Sequence, residues 1–283
     1  MILLPLFKKY SNLNITLIIK NLSMKQLVWL FMSAMALSFV VSCDKDDEEK
    51  IDNSPIIEFK DPLVLQALLN PNFNVFDKNG DGRISQKEAN DVNVDVGECF
   101  VNRGIRSFDE ISYFQNMKKF ILNLNKLTSL DISKNTKLLY LECEANQLNN
   151  LNLNNNIEVL YCGSNQLTIL NVSKCLSLSS LWCRNNLLAS IDVSKNPELG
   201  GLYCSNNKLT SLDLSKNPEL TSLDCSNNQL TMLDLSKNKL LGKNVYSKIN
   251  IDGNPLKKLI ISKYHILPDS FIDKYKGIIE YVE

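Results

Sequence analysis

Twelve consecutive residues, Asp77 to Glu88, carry oxygen donors at spacings that suit a hard divalent cation. Asp77, Asn79 and Asp81 stand at positions 1, 3 and 5 of the stretch, and Glu88 closes it at position 12. Arg83 at position 7 offers its backbone carbonyl, so its side-chain charge is incidental. Ser85 at position 9 can reach an ion directly or through water. Gly82 permits the sharp turn between them, and Ile84 packs the loop down. Calcium takes about 6–8 oxygens of this kind, so one Ca2+ ion is the cofactor these residues predict. The alternative is a turn held by side-chain-to-backbone bonds, with no metal.

The stretch resembles the EF-hand calcium loop at each of these positions. No second loop comes after it, and the exit helix has little room before Val92. The resemblance therefore implies a solitary structural site that caps the downstream chain, and puts cooperative sensing in doubt.

Another chemistry centres on Cys43. Lys25 precedes an apolar run, Leu27 to Val41, which ends in Val40-Val41-Ser42-Cys43. Fifteen residues fall short of the roughly 20 needed to span a bilayer, and suit a secretory signal peptide. A retained membrane helix is the other reading. The end of the run resembles the lipobox of bacterial lipoproteins, which implies that Cys43 is lipidated and holds the chain to a membrane. Asp44, Asp46, Asp47, Glu48 and Glu49 come directly after it. Such a run reads as a solvated tether. Behind a lipobox cysteine it also resembles the acidic tag of Gram-negative lipoproteins sent to the surface. The predicted location is the outer membrane, exposed at the cell surface, with the periplasmic leaflet as the alternative. Residues 1–23 have no readable role, and Met1 and Met24 both stay open as the start.

The third candidate site is a column of aromatics. Tyr161, Trp182 and Tyr203 recur at near-constant spacing, with Arg184 beside Trp182. Each lies between residues that alternate apolar and polar, the two-residue period of a half-buried strand. Leu181 and Cys183 therefore turn one way, and Ser180, Trp182 and Arg184 the other. Stacked strands would bring the rings into one exposed row near Gly163, Gly200 and Gly201. Exposed aromatics with an arginine are common anchors of binding surfaces. Cross-strand packing that only stabilises the sheet is the competing reading.

All of these positions depend on an internal repeat. Cys143, Cys162, Cys183, Cys204 and Cys225 are separated by 19, 21, 21 and 21 residues. Leu122 and Ile251 extend the column, and three residues after each member stands an asparagine, from Asn125 to Asn254. Between them runs a second column: Asn135, Asn156, Cys175, Asn196, Asn217 and Asn238. A fixed period outranks any local reading of secondary structure. The unit, LxxLx(L/C)xxN written twice, resembles the bacterial leucine-rich repeat in which two motifs nest in one 21-residue turn. The predicted fold is a mainly β leucine-rich-repeat solenoid with two short strands per turn and a small helical N-terminal cap.

The chain divides into five parts: residues 1–43 leader and signal peptide, 44–60 acidic linker, 61–91 calcium-binding segment, 92–264 solenoid and 265–283 C-terminal cap. Ile105, Phe108, Ile111 and Phe114 should cover the first regular turn. Tyr264 stands where asparagine is expected, so the ladder should stop there. The cysteine column occupies a leucine slot, which predicts reduced, buried thiols rather than disulfides or a metal site.

Lys and Arg balance Asp and Glu at 31 each, so there is no basic field for nucleic acid. The lone histidine, His265, lies in the cap, and no nucleophile has a base partner in motif context, so no enzyme is predicted. A monomer is expected, and the resemblance implies that it recognises a protein, as internalin-like surface proteins do. A glycan ligand and a passive spacer are the alternatives.

Overall fold

The computed structural model describes residues 52–73, 75–92, 97–243 and 248–283. Cys43, the apolar run and the acidic residues behind it lie outside the described residues.

Alternation produces strands only three residues long through most of the array. In each, the central residue points inward and its neighbours outward. β1 (Lys119–Ile121), β3 (Tyr140–Glu142), β5 (Val159–Tyr161), β6 (Ser180–Trp182), β7 (Gly201–Tyr203), β8 (Ser222–Asp224) and β10 (Ile249–Asn250) form one seven-stranded parallel sheet in that order. Phe120, Leu141, Leu160, Leu181, Leu202 and Leu223 are fully buried behind it. One turn could not bury its leucines alone, but consecutive turns share a continuous core.

The other limb differs from expectation. It carries strands only towards its ends: β2 (Ser129–Asp131) with β4 (Asn150–Asn152), and β9 (Met232–Asp234) with β11 (Lys258–Ser262) and β12 (Ile279–Val282). Leu170, Ile191 and Leu212 still turn inward, at 6–7% exposure, yet no strand forms around them. Burial of the leucine places this limb, and its flanking polar groups face water, so a ladder of backbone bonds is not required there.

The first asparagine column forms the predicted ladder. Asn207 Nδ2 donates to the carbonyls of Cys183 (3.0 Å), Cys204 (3.1 Å) and Ser205 (3.3 Å), and its Oδ1 accepts from Leu188 N at 3.0 Å. Asn146, Asn165, Asn186 and Asn228 repeat this pattern. The residue before each is left-handed, including Ala145 and Ser164 at φ 54°. Asparagine tolerates that conformation better than other side chains with a Cβ, and Asn185, Asn206 and Asn227 supply it in the later turns.

The second column is corrected at one member. Asn156 is exposed, and Asn154 takes the buried slot, donating to the carbonyls of Asn135 (2.8 Å) and Leu138 (3.0 Å). The 19-residue turn is two residues short, and the shortening falls before this asparagine. Asn135, Asn196, Asn217 and Asn238 are fully buried, but their Oδ1 atoms meet no donor. This ladder is thus half satisfied. Nor does it end as expected. Tyr264 is 62% exposed, and His265 takes its place instead. Its Nε2 lies 2.9 Å from the Asn238 carbonyl, while Nδ1 accepts from Ser262 N at 3.2 Å.

Both ends are closed by irregular structure. At the N-terminal end, Phe76, Phe100, Phe108, Phe114 and Phe120 pack edge to face or tilted, with centroids 5.2–6.3 Å apart. Ile105, Phe108, Ile111 and Phe114 are at most 2% exposed and do cover the first turn. Helix α1 (Pro62–Leu68) starts at Asp61, whose carboxylate accepts from Leu63 N (3.0 Å) and Arg106 N (2.6 Å). Part of the segment read as linker is built into this cap. Ile57 N donates to Ile84 O and Gln86 N to Pro55 O, both at 2.8 Å. Beyond β11, α3 (Asp269–Tyr275) leads to β12, which pairs in parallel with β11.

All seven cysteines among the described residues are free and buried, and for Cys143, Cys162, Cys183, Cys204 and Cys225 the leucine-like slot predicts this. Desolvation pushes the Cys183 and Cys225 thiols up to about 12, and that of Cys99, outside the column, likewise to about 12. At neutral pH they are apolar filler rather than nucleophiles.

Candidate functional site

Strand register assembles the aromatic row. Tyr161 sits opposite Trp182, and Trp182 opposite Tyr203, on neighbouring strands. Ring centroids are 5.0 Å apart in the first pair and 4.2 Å in the second, with interplanar angles of 41° and 34°. Tyr140, outside the column of three, extends the row edge to face on Tyr161 at 5.6 Å. Its outward position on β3 is visible in the alternation, but its diagonal approach to Tyr161 is not. The four rings are half-buried. They are packed against one another and not splayed into water.

Cations and carboxylates border the row. Arg184 lies over the Trp182 ring at 5.3 Å and Lys119 over Tyr140 at 5.0 Å, both within cation–π range. The Tyr140 hydroxyl donates to Glu142 Oε1 at 2.5 Å; burial first, and then the carboxylate beside it, push that phenol well above the usual tyrosine range. Arg184 Nη2 meets Glu144 Oε1 at 3.4 Å. Between their turns lies Gly163. A Cβ there would fall 2.7 Å from Glu144 Oε1 and 3.0 Å from Arg184 Cγ. Glycine leaves the channel through which the ion pair crosses. Chemically, this face offers apolar area, π faces and edges, and one fixed guanidinium, which suits recognition and contains no nucleophile–base pair.

The acidic loop is wound around its own backbone amides. Gly80 and Gly82 are left-handed, at φ 72° and 76°. Their turn aims three amides at Asp77: Gly80 N at 2.8 Å, Asp81 N at 3.2 Å and Gly82 N at 3.0 Å. Asn79 Oδ1 accepts from Asp81 N, and Asp81 Oδ1 from Arg83 N. Ser85 is the N-cap of α2 (Gln86–Asp91) and forms a capping box with Glu88. Glu88 is 4% exposed, and both its oxygens are engaged: Oε1 by the amides of Lys78 (2.9 Å) and Asn79 (3.4 Å), Oε2 by Ser85 N (2.9 Å). Among the described residues no group of three or more His, Cys, Asp or Glu side chains is gathered closely enough to hold a metal. The donor types and loop winding fit calcium. Two-oxygen binding by Glu88 would require it to release backbone amides.

Ile56 bridges Ser85 in antiparallel fashion, on the side where Ile84 is fully buried. Nothing in residues 52–57 announces this pairing, because it involves one bridge and no repeating pattern.

No protein-family model matches the chain, and no curated protein matches it. Solved structures do. Internalin C2 from Listeria monocytogenes is 19% identical with a TM-score of 0.57, covering 79% of this chain and 94% of its own. The Leptospira interrogans LRR protein LIC12759 is 21% identical with a TM-score of 0.50, covering 63% of this chain and 52% of its own. The functional domain of InlJ from Listeria monocytogenes, described as including a cysteine ladder, is 28% identical with a TM-score of 0.49, covering 70% and 50%. The chain spans about half the length of the last two. The fold is that of a leucine-rich-repeat protein.

Proposed function

We propose that this chain is a lipid-anchored surface protein whose solenoid binds a protein partner on the Tyr140–Tyr161–Trp182–Tyr203 row. One calcium ion in the loop from Asp77 to Glu88 steadies the N-terminal cap. The observation that carries the reading is the continuous row of four rings, flanked by Arg184, on the face of one seven-stranded sheet. Repeat solenoids present such extended faces to macromolecules.

Ring geometry favours a protein over a sugar. A sugar ring stacks on an open aromatic face, and here Trp182, the largest ring, lies between Tyr161 and Tyr203 at 5.0 and 4.2 Å and under Arg184. Half-buried tyrosine and tryptophan beside an arginine are the side chains enriched in protein hot spots. The protein is non-catalytic in this reading. Cys43 carries the anchor and the acidic run the tether, so the array stands clear of the membrane at the cell surface.

Affinity capture by the chain from Asp44 onward, beside a glycan array, tests the assignment. A captured protein whose binding is lost in Trp182→Ala supports it. Strong binding to glycans with no captured protein overturns it.

A further inference from the structure

A cavity of about 780 Å³ opens at the C-terminal end of the array, away from the aromatic row. The turn at Gly242 and Lys243, strand β10 and helix α3 form its walls. Three lysines line it, Lys243, Lys248 and Lys274, against one carboxylate, Asp252. Asp252 is already committed: it pairs with Lys274 Nζ at 2.6 Å and accepts the Tyr275 hydroxyl. Lys243 and Lys248 are exposed, and among the described residues their ammonium groups have no side-chain partner. A chain of zero net charge thus gathers two uncompensated positive groups around one concavity.

The remaining lining supplies a platform. Phe271, half-buried, packs against Tyr275 with centroids 4.9 Å apart and the rings tilted by 52°, and Ser270 also lines the wall. Gly242 shapes the rim. It is left-handed at φ 77°, and a Cβ there would meet the Ile266 carbonyl at 2.9 Å, so only glycine lets the turn lie this close to the cap. Cavities of roughly 300–1,000 Å³ with an apolar wall and a few polar groups are the size of small-molecule sites. An inorganic anion would leave most of this space empty. Ammonium groups recognise oxyanions as point charges, without the planar geometry arginine imposes on carboxylates.

We propose that this cavity binds a sugar-sized organic anion bearing two ester oxyanions, phosphate or sulfate, with Lys243 and Lys248 on the charged groups and Phe271 under the ring. The site is independent of the aromatic row. Phosphate and sulfate carriers share the chemistry, and titration separates them. The full chain is titrated calorimetrically with a hexose bisphosphate, a hexose disulfate, the neutral hexose and inorganic phosphate. At least one of the two charged sugars should bind, about tenfold or more tighter than inorganic phosphate, with affinity that falls as salt rises. Lys243→Gln with Lys248→Gln should weaken it at least tenfold, and the exposed control Lys216→Gln should not. Both lysines are exposed, so the double variant keeps the fold, and an unchanged melting temperature verifies this. No binding of either charged sugar at low salt overturns the proposal, as does equal binding of the neutral hexose or an unaffected double variant.

Discussion

Arg184 reaches Glu144 across an intervening turn, and Gly163 is the residue it crosses. The pair closes at 3.4 Å, and an alanine Cβ at position 163 would lie 2.7 Å from the carboxylate oxygen. Partners 40 residues apart in sequence are thereby fixed beside Trp182. Gly163→Ala should push the guanidinium away from both Glu144 and the indole. The crowding should cost about 1–3 kcal/mol, because the Arg184 carbonyl, 3.2 Å from the added carbon, is backbone and gives little. Arg184→Ala, which removes a partly exposed ion pair and an exposed cation–π contact, should cost about 1 kcal/mol. Urea unfolding of the two variants checks the order; equal costs would mean that Gly163 is not a spacer.

The two asparagine columns should behave differently. Asn207 is satisfied at both ends of its amide, so Asn207→Leu strands the Leu188 amide and removes one of two donors from each of three carbonyls. The expected loss is about 1–3 kcal/mol, at the upper end. Asn217 donates to Val193 and Asn196, but its Oδ1 meets nothing, and the same column accepts Cys175 elsewhere in the array. Asn217→Leu should therefore cost less. A larger urea-midpoint shift for Asn217→Leu than for Asn207→Leu contradicts the ladder as described.

Calcium affinity should be modest, on the order of 10⁻⁴ M, since one loop acts alone and Glu88 must leave backbone amides to bind. Binding should raise the melting temperature, because the ion holds the folded loop. Two variants separate binding from folding. Glu88→Gln disturbs the α2 capping box as well as the ion. Asp81→Ala removes an exposed carboxylate that accepts only from the Arg83 amide, so it should keep the cap and lose most of the calcium heat. Wild-type heats from Asp81→Ala would remove the ion from this loop.

Cys43→Ser should leave an unprocessed precursor without fatty acid. Metabolic labelling with a radioactive fatty acid reads this directly. Label on the serine variant equal to wild type would end the lipoprotein reading.

Much of this architecture is legible in the sequence because it repeats. A leucine slot occupied by Cys183 in one turn and Leu122 in another states its own burial, and Asn207 three residues after Cys204 states its ladder. What repeats with an error is harder. The 19-residue turn moves the buried amide from Asn156 to Asn154, and nothing local distinguishes those two asparagines. His265 carries on a ladder of amides because an imidazole can also donate to a carbonyl, an exchange of chemistry that a search for asparagine misses. Features that occur once leave no pattern at all. The bridge of Ile56 to Ser85 and the spacer role of Gly163 depend on distant partners. Sequence alternation places Trp182 outside, but does not say how closely its neighbours cover it.

That covering changes what Trp182→Ala should do. The indole is half-buried between Tyr161 and Tyr203 and under Arg184, so its loss should cost about 1–3 kcal/mol of stability, from two aromatic pairs. A long array tolerates that and stays folded. The decisive measurement is the dissociation constant of the captured protein partner for wild type, Trp182→Ala and Asp213→Ala, each verified as folded. The row as binding surface predicts a loss of about 2 kcal/mol or more for Trp182→Ala, roughly thirtyfold, and none for Asp213→Ala on the other limb. Equal affinity of wild type and Trp182→Ala would contradict it and leave the row as packing alone.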